Sequence, residues 1–134
     1  MTIDRTVWTR VFLAKGAYNI LLSLALLIWA DTFLPMLGAL AGNPVYAQLF
    51  LMLCLAFGVG YVLVGLDIES NHGVVVIGIL GQGALFCVVV WQWMNGNVYP
   101  IALVSALIDL AFAAAFVRFL WRYDYNRAVR KPEK

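Results

Sequence analysis

Asp109 carries the strongest chemical signal in this chain. It lies inside a long apolar run. A carboxylate in such a run costs at least about 2.5–3.5 kcal/mol on membrane-insertion scales, and intramembrane acids are functional candidates by default. A neutral carboxyl there can donate a hydrogen bond, accept a proton or hold a polar ligand. Asn19 and Ser23 stand four apart on another apolar run, with Lys15 one turn earlier. That spacing makes one helix face. Gln82 sits at comparable depth in a third run. We expect Asp109, Asn19, Gln82, Tyr61 and Ser105 to line a small polar cavity, as a ligand-binding or proton site. The alternative is that Asp109 is interhelical glue, bonded to Asn19, Ser23, Gln82 or Tyr61.

Two further groups deserve a chemical reading. Cys54 and Cys87 lie at similar depths, about 10–12 Å from the outer ends of their helices at ~1.5 Å per residue. They are either a membrane dithiol exchanging electrons with a quinone or two buried, inert thiols. There is no CxxC or other metal spacing. Asp67, Glu69 and His72 share a short polar turn and resemble an incomplete metal site. The ligand set is short and its spacing matches no standard pattern, so no metal is expected. The acids are expected to pair instead with Arg10, Lys15, Arg118 or Arg122. Asp67 can end one helix, and Asn71 or His72 can cap the next. His72 is the only histidine, which leaves Ser-His-Asp or Cys-His catalysis with little support.

The elements that must position these residues follow from composition. The chain has 134 residues, 64% of them apolar and 12% charged. Soluble domains carry about 45–50% apolar and about 25% charged residues. A fold this small cannot hide the excess from water, so lipid is its natural solvent. A bilayer core needs about 20 mostly apolar residues per helix. Four windows qualify: 11–30, 45–66, 73–94 and 98–121. Lys15 falls near the inner end of the first, close enough to snorkel. Residues 32–44 hold Pro35, Gly38, Gly42 and Pro44 and read as an outer loop, re-entrant or interfacial. Asn95-Gly96-Asn97 reads as a tight turn.

Short connections make successive helices antiparallel neighbours. The expected architecture is a single all-α domain over 1–134, a four-transmembrane-helix up-down-up-down bundle. Residues 122–134 form a basic tail. All nine Lys and Arg lie at residues 5–15 or 118–134. Lys and Arg accumulate in cytoplasmic segments, so both termini are expected to be cytoplasmic. Trp8, Trp29, Tyr46, Trp91, Trp93, Tyr99, Trp121, Tyr123 and Tyr125 fall near the window borders, as the headgroup preference of aromatics predicts. No cleavable signal peptide is expected. A net charge of +2 gives no argument for nucleic acid.

Small residues drive helix association in lipid. Cys54, Gly58, Tyr61 and Gly65 form one stripe of the second window, and Gly73, Gly78, Gly81 and Gly83 punctuate the third. These two helices are expected to pack through glycine, or to leave room for a flat ligand. In the fourth window Ala102, Ser105, Ala106, Asp109, Phe112, Ala113 and Phe116 share a face. Asp109 is therefore expected to point into the bundle.

Several short segments carry a resemblance. They are Gly16-Ala17-Tyr18-Asn19, Phe33-Leu34-Pro35, Phe57-Gly58-Val59-Gly60-Tyr61, Asp67 and Gly78-Ile79-Leu80-Gly81-Gln82-Gly83. With its size, they make most of residues 10–120 resemble the small four-helix bacterial membrane proteins grouped as DoxX-like. Some members are associated with thiol or thiosulfate oxidation coupled to quinone. The resemblance implies a bacterial cytoplasmic (inner) membrane and a quinone-linked role. It transfers no catalytic residue.

Three functions are expected in turn. The first is a non-catalytic protein that binds a small or lipid-like ligand, or an accessory subunit of a membrane complex or homo-oligomer. The second is a quinone-linked redox protein using Cys54 and Cys87. The third is a small proton- or cation-coupled transporter using Asp109.

Overall fold

The computed structural model describes residues 4–37 and 44–130, with side chains as far as 123. The described residues form five helices: α1 (Arg5–Ile28), α2 (Ala30–Met36), α3 (Pro44–Leu66), α4 (His72–Met94) and α5 (Ile101–Arg130). Four are long and apolar enough to cross a membrane: α1, α3, α4 and the Ile101–Tyr123 part of α5. Much of their apolar surface is exposed, including Leu21, Leu49, Leu80, Leu107 and Val117. Exposed apolar area on this scale marks contact with lipid or protein.

The helix ends have local causes. The Asp4 carboxylate accepts from the Val7 N–H at 3.2 Å and caps α1. This sets the start of α1 six residues before the expected 11, since Arg5 opens the helix. Residue 44, a proline, opens α3; its fixed φ and missing N–H suit a first helical position. Asn71 precedes α4 in the left-handed region with φ 62°, a conformation Asn tolerates. It holds the N-cap position, but its side chain makes no capping bond. Gly96, with φ 74°, turns the chain after α4. Pro100 moves the start of α5 from the expected 98 to Ile101, because the residue before a proline avoids helical backbone.

Two regions differ from expectation. The 32–44 segment is not all loop: Ala30–Met36 forms α2, and Leu37 accepts a hydrogen bond from the Tyr99 N–H at 3.0 Å, tying it to the α5 approach. Residues 38–43, with Gly38 and Gly42, lie outside the described residues. Part of the expected basic tail is helical as well. The α5 backbone continues to Arg130, while Lys131 and Lys134 lie outside the described residues.

α1 packs most extensively against α3 and comes closest there. A Cβ added at Gly16 would lie 2.9 Å from the Gly58 carbonyl oxygen, and one at Gly58 would lie 3.1 Å from the Gly16 carbonyl oxygen. Further along, Gly65 meets Leu13. The pairs Leu13–Gly65 and Gly16–Gly58 run in opposite senses along the two helices. The expectation that α3 and α4 pack through their glycines holds only in part: Gly60 of α3 meets Val74 and Gly78 of α4 meets Tyr61. Gly58 and Gly65 serve the α1 interface, and Gly73, Gly81 and Gly83 face open space. Of the α4 set only Gly78 meets α3, through the Tyr61 ring.

One end of the bundle is filled with aromatics. Trp8, Phe12, Tyr61, Val64, Ile68, Val75, Phe116 and Phe119 form the buried core. Phe12 stacks on Phe116 at 4.7 Å and meets Phe119 edge-on at 5.0 Å. Trp8 packs on Phe119 at 5.2 Å, so it is a core residue rather than a border residue. Tyr123 likewise packs on His72 at 4.3 Å. The remaining border aromatics with described side chains, from Trp29 to Trp121, are exposed.

Candidate functional site

The other half of the bundle is hollow. A cavity of about 500 Å³ is lined by α2 and all four long helices. Leu22, Leu26, Phe33, Met36, Leu85 and Ile101 contribute to its largely apolar wall. Its polar floor lies where the aromatic core begins. There Lys15, Asn19, Tyr61, Gln82, Ser105 and Asp109 meet the cavity, and Ser23 meets it further up the wall. The expected set of Asp109, Asn19, Gln82, Tyr61 and Ser105 is therefore brought together.

Asp109 is bonded to none of its expected partners. It forms an ion pair with Lys15, from α1. Lys15 does not snorkel: only 1% of the residue is exposed, and Asp109 is 8% exposed. The cause is the early start of α1, which places Lys15 in the middle of that helix instead of near its end. The Lys15 ammonium also lies 4.8 Å from the Tyr18 ring centre and 5.2 Å from that of Phe112. Aromatic faces attract a desolvated cation. The carboxylate and two rings thus replace the water that the ammonium loses. Sequence reasoning missed Lys15, Tyr18 and Phe112 as site residues. Lys15 was findable, since it and Arg118 are the two basic residues within the apolar windows and a buried acid calls for a cation.

A second polar pair adjoins the first. The Gln82 amide donates from Nε2 to the Tyr61 hydroxyl at 2.8 Å. Asn19 donates to the Cys54 carbonyl at 3.4 Å and so ties α1 to α3. Gln82 Oε1 is buried without a hydrogen-bond partner, alone in this among the described side chains. An unserved buried acceptor carries a desolvation cost of about 1–3 kcal/mol. It is the open valence of the site.

The other candidates fall elsewhere. Both thiols are free. Cys54 is half-buried and lines the cavity, whereas Cys87 is exposed and does not. Glu69 pairs with Arg5, not with the bases expected for it. Both partners are exposed, and such pairs contribute little. Asp67 accepts from the Glu69 N–H at 3.2 Å. His72 Nε2 lies 2.8 Å from the Ile68 carbonyl, to which it donates, and its ring stands edge-on to Phe119 and Tyr123. Asp67, Glu69 and His72 are thus spent on the turn. Among the described residues no cluster of three or more His, Cys, Asp or Glu side chains could hold a metal ion.

The arrangement can hold a molecule that is polar at one end and apolar along its length. Its charges are internally balanced, and one polar group awaits a partner. A scan against protein-family models matches none, and searches of curated proteins and of solved structures return no match.

Proposed function

We propose that this chain is a multi-pass protein that binds a small, lipid-like amphiphile between its helices, with the ligand's polar end on the Lys15–Asp109–Gln82 floor. The carrying observation is the cavity of about 500 Å³, apolar along its wall and polar at one end. Small-molecule sites typically run about 300–1,000 Å³ with a few placed polar groups. Native mass spectrometry of protein extracted with its surrounding lipid is expected to retain a bound small amphiphile. Ala102→Phe, which fills the wall, is expected to lose it while keeping the fold. A bare wild-type monomer would count against the reading.

The same proposal places the bundle up-down-up-down in a bacterial cytoplasmic membrane, with both termini on the cytoplasmic side. The concentration of Lys and Arg at the two ends of the chain supports this orientation. In a variant whose native cysteines are alanine, a cysteine at Asn97 is expected to react with an impermeant maleimide outside intact cells. One at Ser70 is expected to stay unlabelled. The reverse pattern would invert the topology. The DoxX-like resemblance fits such a bundle. Quinone-linked chemistry through paired thiols has less support, because Cys54 and Cys87 lie on different surfaces.

A further inference from the structure

We infer that the head group this cavity selects is a neutral alcohol hydroxyl, seated on Gln82 and carried by a single aliphatic chain. The inference rests on the ligand-binding reading and specifies its chemistry. Gln82 is 7% exposed, lines the cavity, and leaves Oε1 unserved. Its other half is committed to Tyr61 at 2.8 Å. Amide oxygen and nitrogen are told apart by hydrogen bonding alone. If the amide is turned over, the Tyr61 hydroxyl donates to the oxygen and the NH₂ is left unserved. In either setting one half of the amide needs a partner, an acceptor wanting a donor or the reverse. A hydroxyl is both donor and acceptor and meets both settings. An ester or ketone head only accepts, so it meets the turned-over setting alone.

Charge excludes the other common heads. The Lys15 ammonium is already compensated by Asp109 and flanked by the Tyr18 and Phe112 rings. A carboxylate head would add an uncompensated negative charge to a largely apolar cavity, and an ammonium head would add a positive one. Either burial is costly. The apolar wall from Leu85 to Phe33, Met36 and Ile101 then receives the chain. A volume of about 500 Å³ is that of a drug-sized ligand, suiting one chain rather than a two-chain phospholipid.

The test uses the full chain in lipid nanodiscs, with empty nanodiscs as the partitioning control. Binding of radiolabelled 1-dodecanol, dodecanoate, dodecylammonium and methyl dodecanoate is compared by equilibrium dialysis. Dodecanol is expected to bind saturably and at least about tenfold more tightly than dodecanoate and dodecylammonium, and no more weakly than methyl dodecanoate, which only the turned-over amide serves. Gln82→Met, close in volume and without the amide, is expected to weaken dodecanol binding at least about tenfold. Equal saturable binding of all four in the wild type would overturn the hydroxyl assignment and leave the cavity reading standing. No binding above empty discs would overturn both. Because the wild-type series decides the matter, a Gln82→Met protein that failed to fold would not shelter the proposal.

Discussion

Replacing Asp109 by alanine is expected to destabilise the bundle by about 3–5 kcal/mol, the loss typical when one partner of a buried ion pair is removed. Lys15 would keep its charge in a site with almost no solvent access, facing two aromatic rings and no carboxylate. Detergent-titrated unfolding in mixed micelles, followed by tryptophan fluorescence, reads the effect. The double variant Lys15→Met with Asp109→Leu is expected to recover most of the loss. Well-packed apolar replacements of buried ion pairs are often neutral or better. That contrast separates an uncompensated charge from a simple packing defect. A loss under about 1 kcal/mol for Asp109→Ala would show that Lys15 does not depend on the carboxylate, since that is the range of a weak exposed pair. The double variant is also informative about function. If the pair serves only to hold α1 on α5, apolar ligands should still enter.

The second large effect is expected at the α1–α3 contact. Gly16→Leu and Gly58→Leu each push a side chain into backbone: the Gly58 carbonyl oxygen is 2.9 Å from a Cβ at 16, and the Gly16 carbonyl oxygen is 3.1 Å from a Cβ at 58. Carbonyl groups inside helices cannot swing aside as side chains do. The two helices must separate, and overpacking of this kind costs about 1–3 kcal/mol or more. Separation also breaks the Asn19 bond to the Cys54 carbonyl and reshapes the cavity floor. Ligand retention should therefore fall together with stability. Gly73→Ala is the matched control. Nothing lies within 4 Å of a Cβ there, so its stability should stay at or slightly above wild type, in line with the better helix propensity of alanine. Equal behaviour of Gly16→Leu and Gly73→Ala would refute the close approach.

How far the sequence could be read depended on contrast. Long apolar runs are their own signal, because length against bilayer thickness identifies a spanning helix without any periodicity. The four runs accordingly appear as four long helices. Where composition changes gradually the reading slipped. The first two turns of α1 carry Arg5 and Arg10 beside Trp8 and Phe12, and a hydropathy window discards them. Structurally they are a capped, amphipathic start whose aromatic face is core. That single boundary displaced Lys15 from the helix centre to its edge and hid the partner of Asp109.

Neighbour relations were illegible for a different reason. In a membrane bundle the lipid-facing and core-facing surfaces are both apolar, so patterning offers little contrast between faces. The Gly58–Gly65 stripe was visible, but nothing in it says whether α1 or α4 lies opposite. Rare polar residues escape this ambiguity. Asp109, Asn19, Gln82, Tyr61 and Ser105 stand out against the apolar background, and the depths of Asp109, Asn19 and Gln82 along the chain already aligned those three. By itself, then, the sequence determined the helical class, the number of long apolar helices and most of the polar residues that meet inside. Tertiary structure alone decided that Lys15 compensates Asp109, that α1 presses on α3 through Gly16 and Gly58, and that aromatics close one half of the bundle while the other half stays hollow. Those outcomes depend on helix rotation and on side-chain volumes summed over several elements, and no stretch of a single helix contains that information.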